Sequence, residues 1–116
     1  MRYRDWNIGG GVVKQDDRYV VSDNVLLNHM VVSSTLLHPN KSTTGHRHEG
    51  QEEVYIFIQG RGEMELGHKR FDVKAGDTVL VQDGKFHRVH SGDTMLYFIC
   101  VFEGKRIDKK EDNVRT

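Results

Sequence analysis

The chain has 116 residues, with 17 Lys and Arg against 17 Asp and Glu, so its formal net charge is zero. This length fits one domain, and the balanced charge gives no basis for binding nucleic acid or an anionic membrane surface. The longest apolar stretch, residues 95–102, is too short to span a bilayer. No apolar leader follows Met1, and the single cysteine, Cys100, cannot form an internal disulfide. These features predict a cytoplasmic protein.

Short segments rich in β-branched, aromatic and other apolar residues alternate with glycine-containing turns along most of the chain. In chain order they are residues 25–37, 53–59, 63–66, 71–73, 78–81, 86–91 and 94–102. Strands at such close spacing predict an all-β fold, an antiparallel sandwich or barrel. The only helix that the sequence allows is a short one near residues 23–27. We predict one domain over residues 1–102, beginning with an N-terminal strand segment, and a charged surface tail over residues 103–116.

Four side chains from three separate segments are candidate metal ligands. His46 and His48 point the same way if they lie on a strand, because successive strand side chains alternate between faces. Glu53 begins the next strand after a short loop, and two imidazoles beside a carboxylate suit a divalent ion. His87 can supply a fourth ligand if its strand lies next to the first. His90 is expected to face away from His87 by the same alternation.

Two motifs resemble those of the cupin superfamily, small single-domain proteins of the RmlC-like type. The first is residues 40–60, with His46-x-His48, four residues, Glu53, six residues and Gly60. The second is residues 76–91, with Gly76, seven residues, Gly84, two residues and His87. Three positions depart from the family pattern without being ligands: Asn40 replaces a glycine, Gln82 a proline and Ser91 an asparagine.

The resemblance implies an antiparallel double-stranded β-helix, also called a jelly-roll or cupin barrel. It also implies one divalent transition metal, Fe, Mn, Ni, Co or Zn, held by His46, His48, Glu53 and His87. Open positions on that metal would bind a small-molecule substrate. On the Glu53 face of its strand, Tyr55 and Gln59 are candidate substrate contacts, and Phe57 a candidate pocket wall.

A narrower resemblance connects Thr43 to His48, and Glu53-x-Tyr55, to the archaeal cupin-type phosphoglucose isomerases. It implies that Glu53 and Tyr55 are catalytic, and that Lys41, Thr43 and Thr44 hold a sugar phosphate. The alternative for the two threonines is that they only shape the loop that leads into the His-x-His segment.

Three functions remain open at this point. The first is a metal-dependent enzyme for a small polar metabolite, with sugar or sugar-phosphate isomerisation as the leading hypothesis. The second is an Fe(II)-dependent dioxygenase, and the third is a non-catalytic protein that binds a metal and a small molecule.

The last predicted strand, residues 94–102, is apolar on both of its faces, as is the strand that begins at Glu53. A small barrel has one interior, so a second apolar face needs a cover. We therefore predict a homodimer, with the N-terminal segment covering part of the outer face.

Overall fold

The computed structural model describes residues 1–104, which form nine strands in antiparallel sheets. The strands are β1 (Gly11–Gln15), β2 (Tyr19–Asn24), β3 (Met30–Leu37), β4 (Glu53–Gln59), β5 (Arg61–Leu66), β6 (Lys69–Lys74), β7 (Thr78–Val81), β8 (His87–Ser91) and β9 (Leu96–Glu103). The predicted all-β fold is confirmed. Most of the predicted charged tail, residues 105–116, lies outside the described residues.

The strands form one sheet in the order β1-β2-β3-β9-β4-β7 and a second in the order β6-β5-β8. Residues 42–46 continue the smaller sheet, because Ser42 and His46 form antiparallel bridges to His90 and His87. After β3 the chain passes repeatedly between the two sheets, with β5 and β6 forming a hairpin within the smaller one, and the two inner faces enclose the core.

The core is built from side chains at alternate positions of each strand. On β4, Glu53, Tyr55 and Phe57 are buried, while Val54 and Ile56 on the other face are partly exposed. β9 alternates in the same way along its whole length. Because the side-chain period of a strand is two, one face of each strand supplies the core and the other faces outward.

The short helix that the sequence allows near residues 23–27 does not form. Asp23 is the last buried residue of β2, where it pairs with Ser33, and β2 ends at Asn24, which is followed by a loop. Among residues 1–104 there is also no helix long and apolar enough to cross a membrane.

The predicted segment 25–37 is a strand only from Met30 onward. Before it, Val25, Leu26 and Leu27 form an exposed loop in which each residue is more than half accessible to solvent. The predicted N-terminal strand segment consists of two strands, β1 and β2, which pair with each other and extend the larger sheet beyond β3.

Candidate metal centre

The loop after β3 is fixed along β8 by backbone hydrogen bonds. The amide of His46 donates to the carbonyl oxygen of His87 at 3.0 Å, and the amide of His87 donates back at 2.9 Å. Three residues earlier, the amide of Thr43 donates to the carbonyl of Val89, and the Thr43 hydroxyl accepts from the amide of Val89 at 3.0 Å. This pairing brings two of the predicted ligands, His46 and His87, to the same place.

The three predicted histidine ligands surround one region of the barrel interior. The ring centres of His46 and His48 are 5.2 Å apart, and those two rings lie 6.5 and 6.4 Å from the ring of His87. Glu53 reaches the same region, with its Oε2 3.3 Å from Nε2 of His87. The structure therefore brings together all four predicted metal ligands, drawn from three separate segments.

The tautomer of His87 is set by a second hydrogen bond. Its Nδ1 lies 3.0 Å from the carbonyl oxygen of Lys85, and a carbonyl can only accept, so Nδ1 must donate its proton. In the neutral ring Nε2 therefore presents a lone pair to the Glu53 carboxylate. Both side chains are at most 3% exposed, so a proton or a metal cation is needed between these atoms to prevent their repulsion.

Anchoring a histidine through its other ring nitrogen is typical of metal-binding imidazoles, because it fixes the ring and makes the ligand nitrogen more basic.

Cys100 is a further neighbour of Glu53 that the sequence did not indicate. Its Sγ lies 3.6 Å from Oε2 of Glu53, the same oxygen that faces His87. The contact is caused by the pairing of β9 with β4, which sets Cys100 opposite Tyr55. No local feature of the sequence predicts this pairing.

The spacing of the rings decides how closely the residues fit a metal. With metal–nitrogen distances of about 2.1 Å, two neighbouring imidazoles place their ring centres about 4.6–5.3 Å apart. The ring centres of His46 and His48 lie within this range. The ring centre of His87 is roughly 1 Å farther from each of them than the range allows. Accordingly, residues 1–104 contain no group of three or more His, Cys, Asp or Glu already positioned to hold a metal ion. Three imidazoles and a carboxylate fit a divalent ion by the chemistry of their donor atoms.

Of the predicted substrate residues on β4, Tyr55 lies beside these ligands. The Tyr55 ring centre is 5.8 Å from that of His87, and Tyr55 also stacks on Phe98. Phe57 is 1% exposed and packs on the same Phe98 within the hydrophobic core, and its role as a pocket wall stays a prediction. Gln59 is exposed at the end of β4, beyond a register shift in its pairing with β9.

The predicted phosphate-binding residues lie on the loop and make other contacts. The hydroxyl of Thr43 is occupied by the amide of Val89, and that of Thr44 accepts from Arg18 at 2.8 Å. The ammonium of Lys41 lies 3.5 Å from the carboxylate of Asp17. These contacts agree with the alternative in which both threonines shape the loop, and phosphate binding by the three residues stays a prediction.

Comparison with protein families decides the classification, because the model for the cupin domain matches residues 34–102, more than half of the chain. The chain is a cupin. The match includes the four predicted ligands and excludes β1 and β2 at the N-terminus.

Curated relatives support the same classification. The cupin is 29% identical over 97 residues to the "oxalate-binding protein" of Thermotoga maritima, with 82% of this chain and 80% of the relative covered. It is 28% identical over 100 residues to an uncharacterized Methanocaldococcus jannaschii protein, with 71% and 75% covered.

Two solved structures show how far the likeness extends. A Thermotoga maritima structure described as a predicted oxalate decarboxylase is 28% identical to this cupin, with a TM-score of 0.64 and 72% of this chain and 80% of that chain covered. KdgF from Halomonas sp. has a TM-score of 0.76 over 86% of this chain and 91% of its own, at 16% identity. At that identity the likeness to KdgF shows the double-stranded β-helix fold alone.

Proposed function

We propose that this cupin binds one divalent transition metal at His46, His48, Glu53 and His87, and uses it to bind a small oxygen-rich metabolite. The observation that supports this most directly is the buried pair of His87 Nε2 and Glu53 Oε2, which lie 3.3 Å apart with at most 3% of either side chain exposed. The relative named for oxalate binding adds support, since oxalate is a small molecule that chelates metals through two oxygens. The metal, when bound, would polarise a ligand carbonyl and acidify the neighbouring C–H bond.

Isomerisation of a sugar or sugar phosphate is the reaction that we propose first. In that hypothesis Glu53 accepts a proton from one carbon and returns it to the next, and Tyr55 orients the substrate oxygens. Both side chains are at most 2% exposed, so they are shielded from bulk water. Incubation with sugars and sugar phosphates in D2O, followed by NMR, would detect deuterium entering the substrate.

Metal binding is tested first, on protein purified without an affinity tag. After reconstitution with Mn(II), Fe(II), Co(II), Ni(II) or Zn(II), we expect one ion per chain by mass spectrometry. His48→Ala should weaken binding at least about tenfold, because it removes a ligand. His68→Ala is the matched control, since His68 lies in an exposed turn between β5 and β6. A wild-type chain that retains none of these ions would contradict the proposal.

Two other functions are distinguished by the same metal-loaded protein. Oxygen consumption on addition of a substrate would support a dioxygenase instead of an isomerase, if it occurs with Fe(II) and with none of the other ions. Binding of oxalate or a sugar acid by calorimetry, with no turnover across the panel, would indicate a binding protein. In each case the His48→Ala protein is the control for dependence on the site.

A further inference from the structure

The turn between β7 and β8, residues 82–85, contacts both of the segments that bring His48 and His87 to the candidate metal centre. The amide of Gly84 donates to the carbonyl oxygen of His48 at 3.0 Å. The carbonyl oxygen of Lys85 accepts from Nδ1 of His87 at 3.0 Å. One short turn therefore holds the backbone of one predicted ligand and the ring of another.

Asp83 adds a side-chain contact from this turn to the loop that follows His48, residues 49–52. Its Oδ1 accepts from the amide of Gly50 at 2.6 Å. A hydrogen bond to an ionised carboxylate is stronger than one between neutral groups, and a short distance is typical of it. The chain is therefore fixed to the turn on both sides of Glu49, by the His48 carbonyl before it and the Gly50 amide after it.

The turn also has a hydrogen bond of its own that does not involve the carboxylate of Asp83. The amide of Lys85 donates to the carbonyl oxygen of Gln82 at 3.1 Å, which closes four residues into a β-turn. Asp83 is exposed, so the packing of the core does not depend on its side chain. Removing the carboxylate should therefore release the loop after His48 while the turn itself stays formed.

We propose that Asp83 is a positioning residue for the metal centre, because its hydrogen bond to Gly50 holds the loop after His48 against the turn before β8. This inference rests on the proposed metal binding and adds a residue that controls its affinity. The apparent affinity for a metal is the intrinsic affinity multiplied by the fraction of chains whose ligands are already arranged to bind. Without the Asp83 contact, the loop between His48 and Glu53 samples more conformations, so this fraction falls.

The test compares the metal affinities of wild type, Asp83→Ala and Asp83→Asn by competition titration with Zn(II) and with Co(II). We expect Asp83→Ala to weaken binding roughly three- to tenfold, the factor that one hydrogen bond contributes to an equilibrium constant. An asparagine side chain keeps an acceptor oxygen but has no charge. Asp83→Asn should therefore stay within about twofold of wild type, whereas a simple attraction between the carboxylate and the cation would be lost in both variants.

Asp77→Ala is the matched control. Asp77 makes the same type of contact in the turn between β6 and β7, where its Oδ2 accepts from the amide of Lys74 at 2.9 Å. That turn contains none of the predicted ligands. Melting temperatures of the metal-free proteins measure what each carboxylate contributes to stability. We expect Asp77→Ala to keep the wild-type metal affinity even where its melting temperature falls as much as that of Asp83→Ala.

Three results would overturn the inference and leave the proposed function intact. The first is a wild-type affinity in Asp83→Ala, and the second is an equal weakening in Asp77→Ala, which would indicate general destabilisation. The third is an Asp83→Asn protein as weak as Asp83→Ala, which would assign the effect to charge. A wild type that binds neither Zn(II) nor Co(II), nor any other of the five ions, would overturn the proposed function and the inference together.

Discussion

A histidine outside the metal centre links three parts of the smaller sheet. His90 faces away from His87, as predicted; its Nε2 lies 2.6 Å from Oε1 of Glu65 on β5, and its Nδ1 lies 2.5 Å from the hydroxyl of Ser42. The hydrogen bond with His90 is the main reason that the pKa of Glu65 lies below its usual value, with Arg70 and Arg88 as weaker contributors. The cluster therefore holds the start of the ligand-bearing loop against β8 and β5.

The lowered pKa of Glu65 makes stability depend on acid pH. Because the carboxyl binds its proton less readily in the folded chain than its ordinary value of 4.5 implies, the unfolded chain takes up the proton first as pH falls. The stabilisation is complete above that value and is lost as pH falls through the folded pKa. We expect Glu65→Gln to flatten the decrease in the free energy of unfolding below pH 4.5, measured by urea denaturation.

The control for this change is Glu63→Gln, on the same face of β5. The carboxylate of Glu63 contacts Arg70 at 3.0 Å, whereas the side-chain hydrogen bond of His90 on this strand is to Glu65. It should therefore keep the acid dependence of the wild type. Parallel pH curves for Glu65→Gln and wild type would show that the hydrogen bond with His90 does not stabilise the fold through Glu65.

At the scale of strands, the sequence predicts features that depend on nearby residues. It does not predict contacts that depend on how distant strands pair. The sequence predicts from spacing and strand alternation which side chains lie near one another, namely His46, His48, Glu53 and His87, and their role as metal ligands stays a prediction. The contact of Cys100 with Glu53 needs the register of β9 against β4, which is a long-range property. The same limit explains the loop at residues 25–27, where apolar composition predicts a strand but no neighbouring strand is available to pair.

The turns that connect the strands depend on glycines for two separable reasons. Gly60 links β4 to β5 with a φ of +89°, and a Cβ there would collide with the carbonyl oxygen of Met95. Gly76 precedes β7 with a φ of +98°, and a Cβ there would have no atom within 4 Å. The first turn therefore needs glycine for conformation and for space, and the second for conformation alone.

Replacing each glycine by alanine should separate the two contributions. We expect Gly76→Ala to lower the free energy of unfolding by about 1–2 kcal/mol, the cost of a left-handed backbone at a residue with a Cβ. Gly60→Ala should cost at least about 1 kcal/mol more, because the strand ends must also move apart. Chemical denaturation of the two variants measures the difference. Equal losses would mean that the turn at Gly60 relaxes freely around the added methyl group.

At the scale of the whole molecule, the outer face of the larger sheet is apolar. A row of paired side chains, Val32, Val101, Val54 and Leu80, crosses four strands on this face. The N-terminal segment lies against β9 and β2 of this sheet, where the Tyr97 hydroxyl donates to the carbonyl of Trp6 at 2.7 Å and the Asn24 amide donates to that of Ile8. The predicted cover by the N-terminus is therefore partial, and Leu80 remains 66% exposed.

A second copy of the chain is the partner that we expect on the uncovered part of this face. A self-complementary apolar surface is typical of two-fold homodimers, and burying it removes the exposed row from water.

Light scattering at micromolar concentration should give the mass of a dimer for wild type. Leu80→Lys should shift the protein towards the monomer without unfolding it. The new ammonium group stays in water on the surface of the monomer, whereas a dimer interface would bury it without a partner. Leu26→Lys is the control, since Leu26 is similarly exposed, at 57%, in the β2–β3 loop. A wild-type monomer would refute the dimer, and a Leu80→Lys dimer would place its interface on another surface.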